Sequence, residues 1–374
     1  MKNKHTMFFA CIYLALLGIL GCSDNGKDCC VVYPEILSVD VTISQTNPAE
    51  VSVLAKASAV NFYNIYFGET ANESPVRSTD GKATHTYAKS GTYTIKVQAH
   101  TTDQAFTTET RGVSVTLSGD LVIPTAGYET PTSYAGMDLV WQDEFAGTAL
   151  NAADWTFETG TGQDGWGNNE LQFYRSENTS LTDGKLIITA RKEAYQGSQY
   201  TSSRIITAGK HQFRYGRVDI RAVLPKGQGL WPALWMLGAN YQTDIWPKCG
   251  EIDIMEMVGG SGRENTVHGT VHWEGANGNY ASHTGHTTLA NGTYADEFHV
   301  YSLVWTPQAI TWYVDDKQFN VIDTTPEGLS EFQQEFFLIF NVAVGGRWPG
   351  SPDGTTIFPQ RMIVDYVRVF QQKP

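Results

Sequence analysis

The chain has 374 residues, of which 17 % are charged and 12 % aromatic, with 36 glycines and a formal net charge of −13. That length accommodates two or three domains and at least one large core. The acidic balance excludes a nucleic-acid partner, because no basic stripe offers phosphate neutralisation, and it suits an uncharged partner that needs no electrostatic steering.

Residues 1–21 carry the marks of a targeting segment. Lys2 and Lys4 precede an apolar run from Met7 to Leu20, too short to span a bilayer comfortably and placed like a signal h-region. The run ends in Ile19-Leu20-Gly21-Cys22, which resembles a bacterial lipoprotein signal, with Cys22 as the acylated residue. Residues 22–36 then read as a polar tether, so that lipid chains rather than a protein span would hold the molecule on the bacterial outer membrane. Display on the cell surface is expected, with the periplasmic face as the alternative. The five cysteines offer no disulfide framework, and Cys249, without a flanking histidine, reads as a small buried residue.

All ten tryptophans lie between Trp141 and Trp348, which divides the chain. Residues 37–117 read as about seven short strands with turn punctuation; in Gly91–Val97, Thr92, Thr94 and Lys96 alternate with Tyr93, Ile95 and Val97. An immunoglobulin-like sandwich is predicted. The stretches Tyr66-Phe67-Gly68-Glu69 and His85–Tyr93 resemble the PKD (polycystic kidney disease) module, which implies a spacer role. Residues 118–137, with Pro124 and Pro131, read as an interdomain linker.

From Asp138 to Gln371 the strands are longer and richer in rings, as in Lys185–Ala190 and Ile310–Val314, and no long segment has helical periodicity. The whole chain is therefore predicted to be all-β. A large jelly-roll sandwich of the concanavalin A-like kind over 138–371 follows a small immunoglobulin-like sandwich.

Within that second part, Gly250-Glu251-Ile252-Asp253-Ile254-Met255-Glu256 places its acids unevenly. Glu251 and Asp253 share a strand face, whereas strict alternation sends Glu256 to the other. One inserted residue would restore Glu256 to the face of Glu251 and Asp253; with Met255 as that residue, Ile252, Ile254 and Met257 face the core. Three crowded carboxylates could also form a calcium site or a solvated edge. Calcium ligands usually come from loops, and an edge is rarely so apolar behind. Two carboxylates flanking a bond are the equipment of glycoside hydrolysis.

This segment resembles the signature of glycoside hydrolase family 16 in its bulged form. So do Gly229–Leu237, Trp166–Gln172, Thr270–Trp273, Asn341–Gly346 and Asp365–Val369, which fall in the family's order and match its laminarinase-like branch. The resemblance implies a retaining endo-β-glucanase acting on β-1,3-containing glucans, either laminarin or mixed-linkage β-1,3/1,4-glucan, as a monomer. Glu251 would be the nucleophile, Glu256 the general acid/base, and Asp253 the residue between them that tunes both. It further implies that Asn168, Glu170, Arg204, His272 and Asn341 line the cleft.

Trp231, Trp235 and Trp348 are the best candidates for stacking on sugar faces, ahead of Trp166 and Trp246, while Trp305 and Trp312 suit the core. No cofactor for catalysis is implied. A structural calcium away from the cleft is, with Glu144, the backbone at Gly184 and Asp365 as ligands. Two rival readings are a non-catalytic β-glucan-binding lipoprotein and a galactan hydrolase of the same family.

Overall fold

The structure, a computed structural model, describes residues 31–44, 49–115, 117, 120–275 and 278–373. Cys22 and the signal segment lie outside the described residues. The chain forms two compact units, dividing after Val115.

In the first unit a three-stranded sheet runs in the order Glu35–Ile43, Glu50–Ser58, Lys82–Thr86. A four-stranded sheet runs Val76–Ser78, Phe62–Tyr66, Gly91–His100, Phe106–Val115. The first strand begins at Glu35, two residues inside the stretch expected to be tether. Ile95 and Val97 are fully buried, as the alternation of their strand requires. Two residues of the motif stretches have structural duties. Tyr87 donates its hydroxyl to the Phe67 carbonyl at 2.7 Å. Gly68 sits at φ +79°, where a Cβ would meet the Thr94 carbonyl oxygen at 2.6 Å.

The second unit is a jelly-roll sandwich of two antiparallel sheets. An eight-stranded sheet runs Thr179–Thr182, Lys185–Ala190, Gln360–Gln372, Gly216–Val223, His299–Trp305, Ala309–Val314, Lys317–Asp323, with Met137–Asp143 also paired to Gln360–Gln372. The seven-stranded sheet runs Tyr280–Thr288, Thr266–Glu274, Glu251–Glu256, Leu230–Gly238, Phe336–Val344, Arg204–Ile206, Thr156–Glu158. Between the sheets, Leu186, Ile188, Ile220 and Ala222 meet Leu234, Met236, Ile252 and Phe340, all fully buried. At roughly 25 cal/mol per Å² of apolar surface, this layer is the main stabilising term and holds the seven-stranded sheet rigid behind the site.

The stretch expected to be a linker is instead fastened to this second unit. Leu121 and Ile123 pack on Ile187, Val223, Phe298 and Ile363, on the side of the eight-stranded sheet away from the core. The Tyr128 amide donates to the Phe298 carbonyl at 3.0 Å and its hydroxyl to Asp316 at 2.8 Å, while Thr130 bonds the Tyr366 hydroxyl. Its prolines and glycines suggested slack chain, but isolated apolar residues in an irregular segment carry no periodic signal of the surface they cover.

Candidate active site

The free face of the seven-stranded sheet lines a cleft of about 960 Å³. Alternation decides which side chains reach it. On Leu230–Gly238 the odd-numbered residues Trp231, Ala233, Trp235 and Leu237 face the cleft, while Leu230, Leu234 and Met236 are fully buried in the core.

The neighbouring acid strand pairs so that cleft residues meet cleft residues: Leu237 with Glu251, Trp235 with Asp253, Ala233 with Glu256. The chain advances three positions from Asp253 to Glu256 where their partners advance two, so a bulge is present and all three carboxylates line the cleft. Its position differs from the expected one. Met255 is in register with Leu234, and Ile254 is the residue without a partner on that side. On the other side Ile254 and Met255 together span the single residue Gly269.

Sequence reasoning missed why the bulge is stable there. The indole of Trp312, from the opposite sheet, donates to the Asp253 carbonyl at 2.8 Å. It packs so closely on Gly269 that a Cβ there would lie 2.5 Å from the ring. Ile252, Ile254 and Met257 are buried as expected, and so is Met255.

Burial is the leading cause that pushes the carboxyls of Glu251, Asp253 and Glu256 each up to about 8; for both glutamates the charge of Asp253 comes next. His272 pulls the two glutamates back down, and a hydrogen bond with Glu251 does the same for Asp253. The three therefore titrate as a unit. His272, opposite Glu251 on the next strand, places Nε2 3.0 Å from Asp253 Oδ2 and 3.6 Å from Glu251 Oε1. Its Nδ1 lies 2.6 Å from the hydroxyl of Tyr280, an edge-strand residue that sequence reasoning overlooked.

The remaining expected residues, Asn168, Glu170, Arg204, Asn341 and Trp348, line the same cleft. Glu170 accepts from Asn168 at 3.2 Å, from Gln172 at 2.7 Å and from the Tyr174 hydroxyl at 3.2 Å. Desolvation still holds its carboxyl above the ordinary value. Gln172 and Tyr174 were not singled out from the sequence, although they continue the two-residue period of Asn168 and Glu170. Arg204 pairs with Glu158 and lies over the rings of Trp166 and Trp235.

Two of the tryptophans do more than offer faces. Trp235 Nε1 donates to Asn341 Oδ1 at 2.7 Å, and Trp231 Nε1 donates to Glu256 Oε1 at 2.9 Å. Trp348 stands edge-on to Trp231 and is 41 % exposed, so it keeps a free ring face. Trp246, 48 % exposed beside Tyr280, keeps one as well. Trp305 and Trp312 are core residues. Cys249 is fully buried, and burial, then the charge of Glu251, pushes its thiol up to about 12, which removes it as a nucleophile.

The calcium expectation does not fit. Both carboxylate oxygens of Glu144 are held by Arg368, at 2.7 and 2.9 Å, and Asp365 is taken by Lys185 at 2.8 Å and by Arg221. Three internal cations already neutralise the two acids expected to join the hairpin turn at Gly184 in holding calcium.

The model of the family described as glycosyl hydrolases family 16 matches residues 165–368. A second, described as beta-glucan synthesis-associated protein SKN1/KRE6/Sbg1, matches residues 54–244 and stops before the acid strand. The chain is similar to a beta-glucanase of Rhodothermus marinus, with 44 % identity over 63 % of this chain and 85 % of the relative. It is also similar to the clotting factor G alpha subunit of Tachypleus tridentatus, at 40 % identity over 62 % of this chain but only 34 % of that protein's length. Among solved structures, the laminarinase catalytic domain of Thermotoga maritima is 42 % identical. It superposes with a TM-score of 0.58 over 64 % of this chain and 99 % of that one.

Proposed function

Because the chain belongs to glycosyl hydrolases family 16, we propose that it is an endo-β-glucanase that cleaves internal linkages of β-1,3-containing glucans with retention. The observation that carries this reading is the bulge, which brings Glu251, Asp253 and Glu256 onto one wall of an open, tryptophan-lined cleft. Glucose rings offer weakly polar faces to Trp348 and hydroxyls to Glu170, Asn341 and His272.

In the first step the Glu251 carboxylate attacks the anomeric carbon while Glu256 gives its proton to the departing glycosidic oxygen. The Trp231 N–H can only donate, so Glu256 Oε1 accepts it and the transferable proton resides on Oε2. In the second step Glu256, now a carboxylate, takes a proton from water, which displaces Glu251 and restores the original configuration. Asp253, hydrogen-bonded to Glu251 and charge-coupled to Glu256, passes the loss of a proton on one to the affinity of the other. No cofactor takes part.

The reading is tested by proton NMR of laminarin digestion. A β-anomer appearing first, with a ladder of oligosaccharides, is expected; an α-anomer first, or no new reducing ends on laminarin or mixed-linkage glucan, overturns it. A sulfated galactan is disfavoured, since the arginine lining the cleft, Arg204, is already paired with Glu158. A purely binding role is disfavoured by the presence of all three acids.

Trp231 is assigned a positioning role. The Trp231→Phe variant keeps a ring but loses the donor, which favours ionised Glu256. A hydrogen bond to a charged group is worth about 1.5–3 kcal/mol, so kcat should fall roughly tenfold or more. The alkaline limb of the kcat/KM profile should move to higher pH, because the acid form of Glu256 then persists longer. An unmoved profile removes the role.

The N-terminal region is proposed to tether this enzyme. Signal removal after residue 21 would expose Cys22 for acylation, with the first unit, PKD-like in its motifs, as a spacer and the catalytic unit facing outward as a monomer. Mass spectrometry of the mature protein should find a lipid-modified Cys22, and an unmodified mature N-terminus sinks the proposal.

A further inference from the structure

We propose that the catalytic cleft contains a binding site for one zinc-class divalent cation, formed by His272 Nε2, Glu251 and Asp253, whose occupancy switches the enzyme off. Three observations lead there.

The first is geometric. The donor atoms of these residues all lie within 4.8 Å of one another, with edges of 3.0 Å from Nε2 to Asp253 Oδ2 and 3.6 Å from Nε2 to Glu251 Oε1. A tetrahedral ion with bonds of about 2.0–2.1 Å places its ligands about 3.3 Å apart. The two measured edges bracket that value, so movements of a few tenths of an ångström at these contacts suffice. The fourth position opens into the cleft, leaving room for a water.

The second is the pairing of two acceptors in a dry place. Asp253 is 3 % exposed and its Oδ2 faces His272 Nε2 at 3.0 Å; with Nε2 unprotonated this oxygen accepts no hydrogen bond. Two lone pairs turned on one another in a buried site are costly, and a cation between them would satisfy both.

The third is the support behind the histidine. Tyr280 holds Nδ1 at 2.6 Å. In the tautomer whose Nδ1–H donates to that hydroxyl, Nε2 presents its lone pair toward the two carboxylates, as in a ligating histidine whose other nitrogen is fixed from outside. The set of one imidazole and two carboxylates favours borderline ions such as Zn²⁺ over Mg²⁺ and Ca²⁺, which demand six or more oxygens. A bound ion would occupy the lone pairs of Glu251 needed for attack, so inhibition should be competitive with glucan.

The test uses the full-length mature protein, stripped with EDTA and titrated with zinc chloride by calorimetry in a non-coordinating buffer. One ion per chain, displaced by a laminarin oligosaccharide and ignored by a tenfold excess of Mg²⁺, is expected. His272→Gln and Glu251→Gln should each weaken binding at least tenfold. His286→Gln, an exposed residue further along the edge strand and beyond the cleft-lining Tyr280, Ser282 and Thr284, should leave it unchanged. Absence of stoichiometric binding, binding unaltered by both cleft variants, or loss only in His286→Gln overturns the proposal. Calorimetry reads the ion directly, so its outcome is separate from whether laminarin is the substrate.

Discussion

Removal of either glutamate should abolish glucan cleavage, but the two losses should be chemically distinct. Glu251→Ala and Glu256→Ala are each expected to lower kcat/KM on laminarin by about 10³-fold or more, roughly 4 kcal/mol of transition-state stabilisation. They differ with an activated aryl β-glucoside and added azide. Without Glu251, azide takes the place of the nucleophile, attacks from the face opposite the leaving group, and gives an α-glycosyl azide in one displacement. Without Glu256, the good leaving group needs no proton, the glycosyl ester on Glu251 still forms, and azide replaces water in the second displacement to give a β-glycosyl azide. The roles are those the family resemblance implies, and the bulge supplies the geometry they need by keeping both glutamates on the cleft wall on either side of Asp253. Identical azide products from the two variants, or near-normal laminarin cleavage by either, would contradict it.

The same cluster should cost the fold stability, and relieving it should show as a pH-dependent gain. Burial raises the Glu256 carboxyl from its ordinary 4.5 to about 8 in the folded chain. A group whose folded pKa is raised contributes fully below its unfolded value, and that contribution is lost as pH climbs toward the folded one. The native enzyme should therefore weaken between about pH 4.5 and pH 8, whereas Glu256→Gln loses the Glu256 share of that penalty, leaving those of Glu251 and Asp253, and retains an acceptor for Trp231. Because the three acids share the strain, we expect about 1–3 kcal/mol rather than the full shift of one group. For a unit of this size that is a Tm gain of about 3–8 °C at pH 8, shrinking to none at pH 4. Calorimetric scans at both pH values check it; an equal gain at pH 4 would assign the effect to packing instead.

Local pattern alone makes part of this site legible. Period-two spacing puts Glu251 and Asp253 on one face, and the apolar Ile252, Ile254 and Met257 on the other side demand a core behind them. The odd spacing of Glu256 demands an extra residue. Strand spacing also puts Trp231 and Trp235 on one face of their strand, while Trp305 and Trp312 are buried on theirs. These are consequences of side-chain direction alternating along one strand, and they need no knowledge of neighbours.

What stays hidden in the sequence depends on partners distant in the chain. The bulge lies across Ile254 and Met255, with Ile254 rather than Met255 lacking a partner toward Trp231's strand, because Gly269 leaves room for the Trp312 indole that holds the Asp253 carbonyl. Trp231 and Trp235 are hydrogen-bond donors to Glu256 and Asn341 because register sets Ala233 opposite Glu256 and Asn341. Arg368, Lys185 and Arg221 claim the acids that the family resemblance reserved for calcium. By itself the sequence determined which residues of the acid strand and of Trp231's strand share the cleft face, since alternation is a property of one strand; only the tertiary structure decided what each one does there, since register and ion pairing are settled between strands.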